Sequence, residues 1–76
     1  MTPALKAAEL VQVGPIRGLA QYVAIAHPGV GWMLRLEVDD DHVIEGWGVT
    51  QEEARFMFLE TCKQWLKNTN VDVAIR

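Results

Sequence analysis

Three consecutive carboxylates at Asp39, Asp40 and Asp41, two imidazoles at His27 and His42, and one thiol at Cys62 are the groups of this chain best suited to chemistry. The aspartates carry the hard oxygen donors that divalent cations favour. Three neighbours in sequence cannot converge on one ion without further ligands, however, and calcium-loop spacing is absent. The histidines titrate near neutral pH, but both fall in or beside turn-forming segments and neither is spaced against a nucleophile. Cys62 lies on an apolar helical stripe, which suits a packing residue better than a redox centre. No nucleophile, base and stabiliser assemble from these groups, and no phosphate loop is present. The chain is therefore read as non-enzymatic, with no metal, no cofactor and no small-molecule substrate.

Charge narrows the partners. The formal net charge is −3 and the sequence pI about 5.2, and the seven basic residues are spread from Lys6 to Arg76. A nucleic-acid backbone calls for clustered cations that displace condensed counterions, and no such cluster is visible. Arg17, Arg35, Lys63 and Lys67 are the residues a nucleic-acid reading would have to use. Acidic residues do gather, in Glu37, Asp39, Asp40, Asp41 and Glu45, which fits a solvated turn or an electronegative surface for a basic protein partner. Cys62 is the only cysteine, so an intrachain disulfide is excluded and a reducing cytoplasm fits. No stretch approaches the ~18–20 apolar residues of a membrane span, and no basic start followed by a long apolar run opens the chain. Residues 1–76 read as one soluble domain, 50% hydrophobic and 22% charged. A domain of this size buries only ~60% of the surface its unfolded chain exposes, so its stability is marginal.

The elements that position these residues follow from spacing. Thr2-Pro3 suits a helix start, Ala4 to Gln12 carry apolar residues at the 3.6-residue period, and Gly14-Pro15 reads as a helix stop. After a connector at Ile16 to Gly18, Leu19 to Ala26 reads as a strand and His27 to Gly31 as a turn. Trp32, Leu34, Leu36 and Val38 alternate with Met33, Arg35, Glu37 and Asp39, a half-buried strand. The chain turns at Asp39-Asp40-Asp41 and returns through Val43 to Trp47. A three-residue loop would pair Leu36 with Ile44 on the inner face and Arg35 with Glu45 on the outer one, whereas a two-residue loop would put Glu45 inward; the first is preferred because it buries no carboxylate. Thr50 and Glu53 form a capping box for a second helix. Its stripe of Ala54, Met57, Phe58, Thr61, Cys62 and Trp65 should face the sheet, with Phe56, Leu59 and Leu66 on flanking faces. That width of apolar surface needs cover, from the first helix or from a second protein chain. Val71, Val73 and Ile75 alternate as a possible short fourth strand. The expected fold is α+β: helix, three-stranded antiparallel sheet, helix (αβββα).

Gly46-x-Gly48-x-Thr50-x-x-x-Ala54, with Leu10-Val11-Gln12 in the first helix and Tyr22 opening the first strand, resembles the double-stranded RNA-binding domain over residues 3–67. In that family a pair of lysines at the start of the second helix grips phosphates across the major groove. Gln51 and Glu52 occupy those places here. His27-Pro28-Gly29 carries the family's minor-groove loop residues in a different order. Replacing two cations by a neutral and a negative residue removes attraction to phosphate and adds repulsion. The resemblance thus implies the members that lack the lysines and serve as protein-interaction or dimerisation modules. Tyr22-Val23, Gly31-Trp32 and Gly48 to Ala54 also resemble the ribonuclease-H-like domain of the HicB antitoxins, which implies a strand, strand, strand, helix order with no amino-terminal helix and again a small protein that binds a protein.

Trp47 falls with Met33 on the sheet face opposite Ile44, a large exposed aromatic beside a methionine and so suited to anchor an interface, unless the terminal segment covers the sheet there. The expected function is a non-enzymatic protein-interaction module. It would be an adaptor, a dimerisation domain or a small phage- or plasmid-type inhibitor, anti-CRISPR-like, of a larger protein machine. Met33, Trp47, Phe56, Leu59 and the Asp39 to Asp41 turn are its expected contact residues, and the partner is another protein or a second copy. Double-stranded RNA binding and a HicB-like antitoxin role are the alternatives.

Overall fold

The computed structural model describes residues 5–26 and 31–75, and the side chains of these as far as residue 68. Four strands precede one helix: β1 (Ala8–Val13), β2 (Ile16–Ile25), β3 (Gly31–Glu37), β4 (Val43–Gly48) and α1 (Gln51–Ile75). The strands form an antiparallel meander in the order β1-β2-β3-β4. The fold is thus ββββα, and the expected αβββα order is corrected at both ends of the chain.

At the amino end, the segment expected to be helical is β1, paired with β2 from Ala8 opposite Gln21 to Val13 opposite Ile16. That register leaves Gly14 and Pro15 as a two-residue hairpin turn rather than a helix stop. Gly14 takes φ 58°, the left-handed conformation required at the first central position of such a turn. Proline's fixed negative φ suits the second. Ile16 to Gly18, expected as a connector, begins β2. The competition is between a nine-residue helix, marginal in water, and a hairpin that buries Val11 and half-buries Val13 by simple alternation. The hairpin wins.

At the carboxyl end, α1 runs through Asn68-Thr69-Asn70 to Ile75, so residues 71–75 are helical and not a fourth strand. No glycine or proline interrupts residues 51–75, and extending an existing helix costs far less than starting a new element.

The middle of the chain follows expectation. Leu36 pairs with Ile44 and Arg35 with Glu45, and the Val38 amide donates to the His42 carbonyl at 3.0 Å across the three aspartates. The His27 to Val30 part of the expected β2–β3 turn lies outside the described residues; Gly31 already belongs to β3.

The core lies between α1 and one face of the sheet. Val11, Ile16, Ala20, Leu34, Leu36 and Ile44 meet Ala54, Phe58 and Cys62 there. α1 lies mainly over β4 and β3 and touches β1 lightly. The close approach depends on Gly46 and Gly48. A Cβ at Gly46 would overlap the Phe58 backbone, and one at Gly48 would come within 2.6 Å of the Ala54 amide nitrogen. The glycine-rich junction therefore sets how deeply the helix seats. Thr50 Oγ1 accepts from the Glu53 amide at 3.1 Å, as a capping box requires. The Glu53 carboxylate accepts from Val49, one residue earlier than expected, at 3.0 Å.

The buried helical stripe is narrower than expected. Ala54, Phe58 and Cys62 are buried, Trp65 and Leu66 pack against the core, and Met57 and Thr61 are exposed. With β1 in place of a first helix, no second helix covers the remaining apolar residues among the described ones.

Candidate protein-interaction surface

Among the described residues a single helix covers one face of the sheet, and strand alternation presents the other face outward. Its residues form cross-strand rows. Val23, Met33 and Trp47 stand side by side on β2, β3 and β4. Gln21, Arg35 and Glu45 form the next row, and Leu10 and Leu19 pair beyond it on β1 and β2. Trp47 is 55% exposed and Leu10 80%. Antiparallel sheets tolerate water on one side when that side is polar. Here two apolar groups flank a charged row, and Leu19, Val23 and Val43 are exposed as well.

The charged row is internally matched. The Arg35 guanidinium lies 3.9 Å from Glu45 through Nε and 3.7 Å from Glu37 through Nη2, both exposed contacts. Next to it the β1–β2 and β3–β4 hairpins part, because the β2–β3 ladder begins only at Gln21 opposite Arg35. The opening is a cleft of about 290 Å³ bordered by Leu19, Gln21, Arg35 and Glu37. A more apolar hollow of about 350 Å³ lies among Pro15, Ile16, Val38, Trp65 and Leu66, with Arg17 at its lip. Neither brings together a nucleophile and a base.

On the helix side, Glu9 organises a polar cluster that sequence reading did not foresee. The Tyr22 hydroxyl donates to Glu9 Oε1 and the Arg55 Nε to Oε2, each at 2.6 Å, with Lys6 Nζ 3.8 Å away. Burial alone would raise the Glu9 carboxyl, but the bonds from Arg55 and Tyr22 and the charges of Arg55 and Lys6 hold it below the ordinary carboxylate range. Burial, then the bond to Glu9, pushes the Tyr22 phenol up to about 12. The bond to Glu9 likewise raises Arg55. Beside this cluster the Gln51 side chain accepts from the Lys6 amide at 3.0 Å and donates to its carbonyl at 2.8 Å. Gln51 and Arg55 thus tie the start of β1 to the first turns of α1. The cluster is a closed structural brace, with each charge answered.

The other candidate residues are dispersed. Asp39 is a turn cap: its carboxylate accepts from the Asp41 amide at 2.8 Å and meets His42 Nδ1 at 2.8 Å. The His42 contact, then the Asp41 amide, holds its carboxyl below the usual range. Asp40 and Asp41 are exposed at the same turn, at the opposite end of β4 from Trp47. Among the described residues no three His, Cys, Asp or Glu side chains group as a metal site would. Phe56 is 62% exposed on α1, whereas Leu59 is partly buried against the core and offers less surface. Arg17 and Arg35 lie on the sheet, Lys63 and Lys67 on α1. Lys63 is 3.2 Å from Glu60, and no basic track joins these four. Cys62 is buried, and burial pushes its thiol up. His27 lies outside the described residues.

Leu10 and Leu19 are outer-face residues that sequence reading does not single out, because it places Leu10 within a helix and Leu19 only at the opening of a strand. The alternation of Glu9, Val11 and Val13 with Leu10 and Gln12, followed by Gly-Pro, was the available signal. No helix among the described residues is long and apolar enough to cross a membrane. No protein family, curated protein or solved structure matches this chain.

Proposed function

We propose that the chain is a non-enzymatic protein-binding module whose uncovered sheet face meets its partner, in the manner of an adaptor or a small inhibitor of a larger protein machine. The row of Val23, Met33 and Trp47 carries this reading. An exposed tryptophan flanked by aliphatic side chains and bordered by a matched charge row has the make-up of an interface centre with a polar rim. The acidic turn at Asp39 to Asp41 adds a negative end that would favour a basic partner. A lone buried thiol accords with a reducing, cytoplasmic setting. Inhibitor and antitoxin roles lie within the same class. The three strands β2–β4 leading into α1 keep the element order of the HicB-like resemblance, whereas the double-stranded RNA-binding resemblance calls for a helix where β1 stands.

Affinity capture with the tagged chain tests this reading when native protein is compared with Trp47→Ala and Met33→Ala. The expected result is a specific partner whose recovery falls about 30-fold or more with Trp47→Ala, the loss typical of a central aromatic anchor. Partner recovery equal in all three proteins would refute it.

A further inference from the structure

β1 is one of the two edges of the sheet. The 2.9 Å bond from the Tyr22 amide to the Ala7 carbonyl fixes which way its backbone points. Hydrogen-bonded residues alternate along an antiparallel ladder, so Glu9, Val11 and Val13 engage β2, and Ala8, Leu10 and Gln12 aim their N–H and C=O groups away from the sheet. Edges of this kind are usually blunted by lysine, proline, a bulge or a covering helix. β1 contains no lysine or proline, its register with β2 is continuous, and α1 lies over β3 and β4 instead. Its one charge, Glu9, faces the helix side and is already held by Tyr22 and Arg55.

We propose that this edge pairs with β1 of a second copy of the chain, antiparallel about a two-fold axis at Leu10, to form an eight-stranded sheet. The inference goes beyond the outer-face reading above, because it uses the strand edge and not the Trp47 row. The strand is self-complementary in that register. Leu10 meets Leu10 of the second copy, Ala8 meets Gln12 and Glu9 meets Val11, so no like charges come together. Leu10 already stands beside Leu19, and pairing would join two exposed leucine pairs into one apolar strip across four strands. The helices stay clear of each other, because β3 lies two strand spacings, ~10 Å, from the edge in each copy. A short strand pair buries less than the ~1,200–2,000 Å² of a permanent interface, so the dimer forms in a concentration-dependent way.

Light scattering coupled to size exclusion, run on the full chain over a range of concentrations, tests the pairing. The mass should rise from 8.5 kDa toward twice that value. Leu10→Pro removes an amide that points outward and leaves the β1–β2 ladder whole. It should hold the protein at single-chain mass with an unchanged circular dichroism spectrum. Leu10→Lys, which places two like charges at the axis, should do the same and serves if the proline variant fails to fold. Trp47→Ala should leave the dimer intact. Single-chain mass at the highest concentration, a dimer that survives Leu10→Lys, or a dimer dissolved by Trp47→Ala would each overturn the proposal. A monomer that still captures a partner through Trp47 overturns self-pairing and leaves the outer-face reading standing. A Leu10-dependent dimer whose partner capture ignores Trp47 does the reverse.

Discussion

Tyr22 is the only tyrosine of the chain, so its ionisation can be followed without ambiguity by tyrosinate absorbance. Its phenol is raised from 10.0 to about 12 by burial and by Glu9. A raised folded value means stability that is complete below the unfolded value of 10.0 and lost as pH rises toward about 12. Denaturation curves should therefore weaken through that alkaline window, and Tyr22→Phe should remove this part of the slope. An ordinary titration midpoint in the native protein would contradict the Tyr22–Glu9 bond. Glu9 has the opposite sign. Its carboxyl is depressed below 4.5, so its contribution is present above that value and is lost as pH falls through the lower folded one. Glu9→Gln should flatten the acid limb of stability. Cys62, buried on the helix stripe with its thiol pushed up, should resist thiol reagents in the native protein and react at once in denaturant.

At the scale of the elements, the junction from β4 into α1 governs stability. Gly46→Ala forces the helix off the sheet at Phe58 and should cost about 1–3 kcal/mol in urea unfolding. Thr50→Ala, which leaves the Glu53 amide without its acceptor, should cost about 1 kcal/mol. This junction was legible in the sequence because its signals are local: two glycines, a capping box and a small helical residue within nine positions. The β3–β4 register was legible as a preference between two loops, since of the three-residue and two-residue alternatives only the three-residue one keeps Glu45 outward, and the pairing of Leu36 with Ile44 follows it. Residues 4–12 were not legible by the same means. Ala4, Ala7, Ala8 and Val11 satisfy a helical period while Glu9, Val11 and Val13 satisfy a strand period. What decides between them is the neighbouring strand, a partner set by tertiary structure. Val71, Val73 and Ile75 posed the converse problem, where alternation suggested a strand but the preceding helix simply continues. The Glu9, Tyr22 and Arg55 cluster was hidden because its members lie far apart in sequence and meet only once β1 is a strand.

Over the described residues the molecule is a sheet with one face occupied and one face open. The Trp47 row lies on β2, β3 and β4 and is open whichever element precedes them; β1, as a fourth strand, widens that face with Leu10. The open face carries Trp47, and the basic residues among the described ones carry no shared track. Duplex RNA should accordingly bind weakly and with a shallow salt dependence, since few phosphates can be neutralised at once. Tight binding with a steep salt slope would assign the function to nucleic acid instead. The most direct measurement leaves Trp47 in place and puts a photoreactive residue at Gln21, exposed on the open face in the next row, and, as a comparison, at Gln64 on the exposed side of α1. Adducts with a protein partner from position 21 and none from position 64 are the predicted result. Adducts from position 64 with none from position 21 would contradict it.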